Sequence, residues 1–279
     1  MGKSSLLNAL VGEQTAVVTP MAGTTRGAIR GFVGDFEIID TPGMHKHASL
    51  LGKHMRKSIS GAVQNADVLL YVLDAVRFNA GDVQKVENYR DRCGKGGEQA
   101  LVIAVNKADM MKMEGLYPKL AMLQKLDFAR AIVPVSAKTG FNIGALEEEL
   151  AKIGGGAGAS EADEEEEFTD QSVREMAGEI LRGAVIRNTR AEIPHGVAVV
   201  VTEFVEKAGA VEIRADILCE KAAHKPILIG ASGAMLKRIG TAARKDIEKM
   251  LGDGRVVRLY TRVVVRPDWK NDAEVVGIE

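Results

Sequence analysis

Four short segments carry side chains suited to gripping a nucleotide, and they succeed one another in a set order. The first is Gly2-Lys3-Ser4-Ser5, the tail of a phosphate loop of the form G-x-x-x-x-G-K-[ST]. In such a loop Lys3 would set an ammonium on the β and γ phosphate oxygens and Ser4 a hydroxyl on Mg2+. Gly2, Lys3, Ser4 and Ser5 would offer backbone N–H groups at the positive end of the helix expected over Ser5–Leu10. GKS alone is common at helix starts, so its weight comes from the segments downstream of it. Asp40-Thr41-Pro42-Gly43 closes an apolar stretch containing Phe36, Ile38 and Ile39. Asp40 would hold a water of the Mg2+ shell, and the Gly43 N–H, with no side chain in the way, could approach a terminal phosphate. Thr41, Pro42 and Met44 complete that loop. Between the two segments lies Gly23-Thr24-Thr25-Arg26. One threonine, Thr25 in preference to Thr24, would add its hydroxyl to Mg2+ when a triphosphate is held, and Gln14–Arg30 would order around that contact as a switch.

The other two segments address a base. Asn106-Lys107-Ala108-Asp109 succeeds the apolar run ALVIAV. A carboxylate at Asp109 can accept both the ring N1–H and the exocyclic amine of guanine, and adenine lacks that pair of donors. A site built to pair polar groups rejects the analogue without them by large factors. Asn106 would bond the guanine face and brace the phosphate loop, while the stem of Lys107 covers the ring. In Ser136-Ala137-Lys138 the Ala137 N–H would donate to guanine O6 and Lys138 would pack the far side. Phosphoryl transfer needs mainly positioning and neutralised charge, which Lys3, Thr25, Gly43 and Mg2+ would provide. Where many GTPases carry a water-orienting glutamine this chain has Met44, so intrinsic hydrolysis should be slow. His45 and His47 nearby read as exposed loop residues rather than bases.

The elements that must position these groups are legible as alternating runs. Val68–Asp74, Ala100–Asn106 and Ala131–Ser136 are short and apolar on both faces, as buried parallel strands are. Helical patterns lie between them at Leu50–Gln64, Gly81–Arg92 and Leu116–Lys125. An antiparallel pair, Ala28–Val33 and Phe36–Ile39, precedes them, turned at Gly34-Asp35. The alternation predicts a doubly wound α/β sheet over residues 1–153. Residues 154–168 then mix glycines with an acidic run, and read as a mobile linker.

Residues 169–279 form an α+β module. A helix over Ser172–Arg187 leads to strands Val197–Glu206 and Val211–Glu220 around a KAGA loop. A helix–turn–helix sits at Gly230-Ala231-Ser232-Gly233, and a last strand runs over Val256–Val265. Two glycines in G-x-x-G let a backbone approach a sugar–phosphate chain, and Lys237, Arg238, Arg244 and Lys245 supply charge. From Lys221 to Lys270 basic residues outnumber acidic ones about threefold, the local footprint of nucleic-acid binding. A G-x-x-G loop clamping single-stranded nucleotides is the KH mode.

Bulk composition selects no partner, since 37 basic and 38 acidic residues leave a net charge of −1. Cys93 and Cys219 lie in different predicted domains, which fits buried thiols in a reducing cytosol rather than a disulfide. No window approaches the roughly 18 apolar residues of a spanning helix, and no leader precedes GKSS; the expectation is a cytoplasmic protein.

Taken end to end, the chain resembles the Era family of bacterial GTPases. The resemblance rests on GKSSLLNAL, GTTR, DTPG, NKAD, SAKTG, the EIPH stretch at Glu192–His195, and IGASGAMLKRIGTAARKDIE at Ile229–Glu248. It implies a Ras-like P-loop NTPase domain followed by a type II KH domain, with GTP or GDP and Mg2+ as cofactors. It further implies a role in assembling the small ribosomal subunit, binding to the 3′ end of 16S ribosomal RNA on the pre-30S particle, and peripheral association of a monomer with the inner membrane. The family too has a hydrophobic residue after DTPG, in agreement with Met44. Family members carry about fifteen further residues ahead of Gly2, comprising a first strand and the loop front G-R-P-N-V. Two expectations stand side by side: an upstream, in-frame stretch supplies them, with a GTG valine codon read as the start at Met1, or the protein is truncated there and binds GTP poorly. Half of the N–H cradle belongs to that stretch, and so does the asparagine that resembles a potassium-associated position in related GTPases, through which the resemblance would add K+ to the cofactors. The rival readings are an RNA-binding scaffold with a vestigial G domain, and a superfamily relative acting on another RNA.

Overall fold

The computed structural model describes residues 1–12, 29–33, 36–41, 49–93, 97, 99–154 and 172–276. They form two compact units, one made of the described residues up to 41 with 59–154, the other of 49–58 with 172–276.

The first unit is organised around three parallel strands. β1 (Ile29–Val33) and β2 (Phe36–Asp40) form a separate antiparallel pair. β3 (Val68–Asp74), β4 (Ala100–Asn106) and β5 (Ala129–Pro134) make the parallel sheet in the order β3-β4-β5. β4 is central, and its alternate side chains serve two cores. Leu101, Ile103 and Val105 face α3 (Ala80–Glu87), the short α4 (Arg90–Cys93) and α5 (Met113–Leu123); Val102 and Ala104 face α1 (Lys3–Val11) and α6 (Ile143–Gly154). All five are fully buried, so the strand has no polar face, which is what its unbroken apolar run requires. Each such large aliphatic side chain contributes about 1.5–3 kcal/mol when withdrawn from water. The same two-sided burial brings the carboxyl ends of β3 and β4 level, with Asp74 paired opposite Asn106.

Several boundaries differ from the sequence expectation, each for a local reason. α1 begins at Lys3 rather than Ser5, because the left-handed Gly2 (φ 86°) starts the turn there. α3 starts at Ala80 behind Asn79, which caps it reciprocally with Asp82, and the expected single helix to Arg92 breaks at Asn88-Tyr89 before α4. α5 runs Met113–Leu123, a little earlier than expected, with Pro118 inside it. β5 ends at Pro134, so Ser136 lies just past the strand instead of closing it. α6 extends to Gly154. The rest of the expected linker, 155–168, lies outside the described residues, as do Gly34-Asp35.

The second unit has the helix–strand–strand–helix–helix–strand order of the expected module. α7 (Val173–Asn188) is opened by a reciprocal cap between Ser172 and Glu175. β6 (Val197–Lys207) and β7 (Ala210–Cys219) are antiparallel, and β8 (Val256–Val265) runs parallel to β7. The strands reach further than expected, so the KAGA loop shrinks to Ala208-Gly209. Gly209 takes φ 73°, the left-handed geometry such a short hairpin demands. α8 (His224–Ile229) and α9 (Ala234–Leu251) flank Gly230–Gly233. α7 and α9 cover one sheet face through Leu181, Ala184, Ile239, Ala243 and Ile247. On the other face Trp269 packs on Ala198, Leu218 and Leu51, and its indole N–H donates to the Gly196 carbonyl at 3.1 Å. Leu51 belongs to α2 (Leu50–Asn65), whose Leu50 N–H donates to Asn271 Oδ1 at 2.9 Å. Both cysteines are buried and free, and burial pushes their thiols up. Among the described residues no helix is long and apolar enough to cross a membrane.

Candidate functional site

At the carboxyl end of the parallel sheet, three of the four nucleotide segments meet on one side chain. Asn106 ends β4 and is 2% exposed. Its Nδ2 donates to the Met1 carbonyl at 3.1 Å and the Gly2 carbonyl at 3.4 Å. Its Oδ1 accepts the Lys107 N–H at 2.8 Å and the Ala137 N–H at 3.0 Å. One amide thus ties the start of α1 to both base-recognition loops. Gly2 must be glycine on two counts: its φ of 86° is left-handed, and a Cβ there would stand 2.8 Å from Asn106 Nδ2. The Ala137 N–H, expected on guanine O6, is here given to Asn106, which holds that loop against β4.

The phosphate end is set by α1 and β2. The Ser4 hydroxyl donates to Asp40 Oδ2 at 2.6 Å. A hydroxyl and a carboxylate converging in this way are hard oxygen donors, the chemistry Mg2+ prefers. Lys3 and Ser5 share the first turn with Ser4, half-buried, and Thr41 comes directly after Asp40. Thr25, Pro42, Gly43 and Met44 lie outside the described residues, so the switch and the terminal-phosphate contact stay as expectations.

The base end has Asp109 exposed on a single 3-10 turn, Ala108–Met110. Lys107 before it takes φ 68°, a left-handed conformation that costs any residue with a Cβ, and its N–H bond to Asn106 holds it there. Ser136 is fully buried and accepts the Thr139 N–H at 3.2 Å, shaping the loop that carries Ala137 and the exposed Lys138.

One residue at this end belongs to none of the four segments. Asp74, last in β3, is 5% exposed, and its Oδ2 accepts the Lys107 ammonium at 2.5 Å. Its Oδ1 accepts the Val76 and Arg77 N–H groups at 3.1 and 3.3 Å. Burial by itself raises this carboxyl; the hydrogen bond and charge of Lys107, with the Arg77 amide, outweigh it and hold the group below the ordinary carboxylate range. The sequence signal for it was faint: an aspartate closing a wholly apolar strand next to the one that ends in Asn106.

The second candidate surface is in the other unit. Gly230 (φ 74°), Ser232 (φ 49°) and Gly233 (φ 79°) build the G-x-x-G turn, with Ala231 and Ser232 exposed at its tip. A groove of about 490 Å³ runs from Gly233 along α9 against Leu259–Thr261 of β8. Lys237, Thr241 and Arg244 line it, three and four residues apart on one helix face. Two expected partners do not. Arg238 donates to the Asn188 carbonyl at 3.3 Å and the Met235 sulfur at 3.2 Å, and Lys245, about two turns further along the same stripe of α9, is exposed. Thr241 and Tyr260 also line the groove, and neither carries a charge or a glycine signal that sequence could have shown.

Residues 1–107 match the family described as 50S ribosome-binding GTPase, and residues 192–270 match the KH domain. GTPase Era of Ruminiclostridium cellulolyticum is 35% identical, with 97% of this chain and 90% of that protein aligned. GTPase Era of Leuconostoc citreum is 36% identical over 97% of this chain and 89% of its own length. Among solved structures, a single-residue variant of Aquifex aeolicus Era bound to GDP and AlF4− superposes with a TM-score of 0.87 at 30% identity, covering 99% of this chain and 94% of that one. Era in complex with MgGDPNP and nucleotides 1506–1542 of 16S ribosomal RNA gives 0.88 at 30% identity, covering 99% and 93%. These likenesses run through both units and nearly the whole length of the relatives, so they extend beyond a shared nucleotide fold. This chain belongs to the Era family of GTPases, in which a Ras-like domain that hydrolyses GTP precedes a KH domain.

Proposed function

We propose that this chain binds GTP and GDP with Mg2+ at the carboxyl end of β4 and holds the 3′ region of 16S ribosomal RNA in the α9–β8 groove. In this reading it acts as a monomeric assembly factor of the small ribosomal subunit. The observation that carries the nucleotide half is Asn106, which bonds the phosphate-loop carbonyls and both base loops at once. Lys3 would grip the phosphates, Ser4 and Thr25 would hold the metal with Asp40 on a water of its shell, and the Gly43 N–H would meet the γ-phosphate. Asp109 reads the purine edge, with Lys107 and Lys138 on its two faces. Mg2+, when bound, neutralises charge on the phosphate oxygens. The side chains position the nucleotide and exclude the wrong base, and Met44 leaves hydrolysis slow.

The RNA half rests on the groove geometry and on the relative solved with a 16S fragment. Gly230, Ala231, Ser232 and Gly233 take the sugar–phosphate turn, Lys237 and Arg244 meet phosphates inside the groove, and Arg238 and Lys245 act from its rim. Work in the cytoplasm on the pre-30S particle, peripheral contact with the inner membrane and stimulation by K+ belong to the same reading.

Titration of the full chain with GDP, ADP and a single-stranded 16S 3′-end RNA tests it. Guanine-selective binding, slow GTP turnover and RNA affinity that changes with the nucleotide are expected. RNA binding with no guanine preference would overturn the nucleotide half and leave a scaffold.

A further inference from the structure

Lys107 has two tasks that pull against each other. Its stem must lie along a purine ring, yet a flexible lysine side chain samples many rotamers in water. The structure removes much of that freedom from one end. Asp74 and Asn106 stand opposite each other in the β3–β4 register, so two buried polar side chains project from adjacent strands at the same level. Asn106 fixes the backbone of Lys107 through its N–H, and Asp74 receives its ammonium at 2.5 Å. The Asp74 side chain is 6% exposed and the Lys107 side chain 36%, so the ammonium is anchored on a buried carboxylate while the lysine side chain as a whole keeps access to solvent.

Asp74 is itself held from behind. Its second oxygen accepts two amides of the turn that comes after β3. That turn is clamped in its place by Lys119 of α5, whose ammonium donates to the Ala75, Val76 and Phe78 carbonyls at 2.6, 3.1 and 3.0 Å. The Ala75 N–H donates to the Asn106 carbonyl at 2.8 Å, closing the turn onto β4. The carboxylate therefore has a determined place before any ligand arrives.

We infer that Asp74 is a positioning residue for guanine-nucleotide binding, holding the Lys107 ammonium so that the lysine stem is preset over the base. This rests on the nucleotide reading above. Asp74 touches no ligand; it acts only through Lys107, by sparing that side chain the freedom it would otherwise lose on binding. Its contribution should therefore be equal for GDP and GTP and should vanish when Lys107 has no charge to hold.

Asp74→Asn is the suitable change, because the amide keeps an oxygen for the Val76 and Arg77 N–H groups and loses only the charge. GDP and GTP affinities of the full chain should each fall about 10- to 100-fold, the range for losing a hydrogen bond to a charged group. Asp74→Glu should recover part of the loss. In a Lys107→Met background, which keeps the stem, Asp74→Asn should have almost no further effect. Thermal unfolding and far-UV circular dichroism of the full chain, compared with the wild type, report that the nucleotide unit of each variant is folded. Equal GDP affinity with and without the Asp74 charge, or the same loss in the Lys107→Met background, overturns the assignment of Asp74 while leaving the nucleotide site standing. A wild-type chain that does not bind GDP overturns both.

Discussion

Asp109 and Asp74 are two aspartates at the same end of one sheet with opposite surroundings. Asp74 is buried and fully engaged, while Asp109 is exposed on its 3-10 turn and offers its carboxylate outward. That difference assigns their work: the engaged carboxylate organises protein, and the exposed one is available to read a ligand edge. Asp109→Asn should therefore weaken GDP binding by about a hundredfold or more, because the new amide presents a donor to the purine amine. The same variant should bind xanthosine diphosphate better than the wild type does, since a 2-oxo group accepts from that amide. Competition titration with the two diphosphates measures both, and unchanged preference would remove Asp109 from the base site.

Elements set how strictly each residue is constrained. In the turn between α8 and α9 both glycines have positive φ, but their surroundings differ. A Cβ on Gly230 would meet the Met235 Cβ at 2.7 Å and the Met235 backbone nitrogen at 2.8 Å; a Cβ on Gly233 would meet nothing within 4 Å. Gly233→Ala should lose only the left-handed backbone term, about 1–2 kcal/mol. Gly230→Ala must also move the first turn of α9, so it should lower the thermal midpoint further and weaken RNA binding more. Equal effects in thermal unfolding would contradict this. β3 supplies a different constraint. Tyr71, set edge-on to Tyr89 at 5.8 Å, has its phenol pushed up to about 12, first by burial and then by the Tyr89 and Asp82 charges. An unfolded tyrosine ionises near 10, so between about 10 and 12 the folded chain keeps a proton that the unfolded chain releases. Stability is complete below that window and falls as pH rises through it. Tyr71→Phe should flatten this alkaline decline in denaturant titrations, and a decline of the same slope would show that Tyr71 is not its source.

At the scale of the whole molecule, charge is nearly balanced, yet it is unevenly distributed. A chain of net charge −1 concentrates basic residues in one stretch of the C-terminal module, 221–270, which has twelve basic and four acidic residues. Electrostatic attraction for RNA therefore comes from a few cations in one groove rather than from a general field. Single-stranded RNA binding should show a modest salt dependence, with a log–log slope of about −1.4 to −2.8 for two to four neutralised phosphates. Lys237→Ala should reduce that slope by about 0.7, whereas Arg238→Ala, which removes a side chain bonded to the Asn188 carbonyl, should change it less. Affinities measured over a range of KCl separate these cases, and equal changes for the two variants would place Arg238 in the groove.

The chemistry-bearing residues were legible because each motif is local. Strand-ending Asp40 and Asn106, the nearby Ser136 loop and the Gly230–Gly233 turn need particular residue types within a few positions of one another, and apolar runs of β3, β4 and β8 announce burial directly. Element ends were less legible, since caps such as Asn79 and a two-residue hairpin at Ala208-Gly209 depend on one or two local bonds. What spacing could not show was partnership. Asp74 and Lys107 are 33 residues apart and meet only because β3 and β4 pair in one register. Likewise Lys237 and Arg244 enter the groove while Arg238 and Lys245 do not, a division made by the rotation of α9 on its sheet. Residue type and spacing determined which groups could act; long-range packing decided which of them face each other, because strand register and helix rotation are set by the burial of whole apolar faces and not by any one motif.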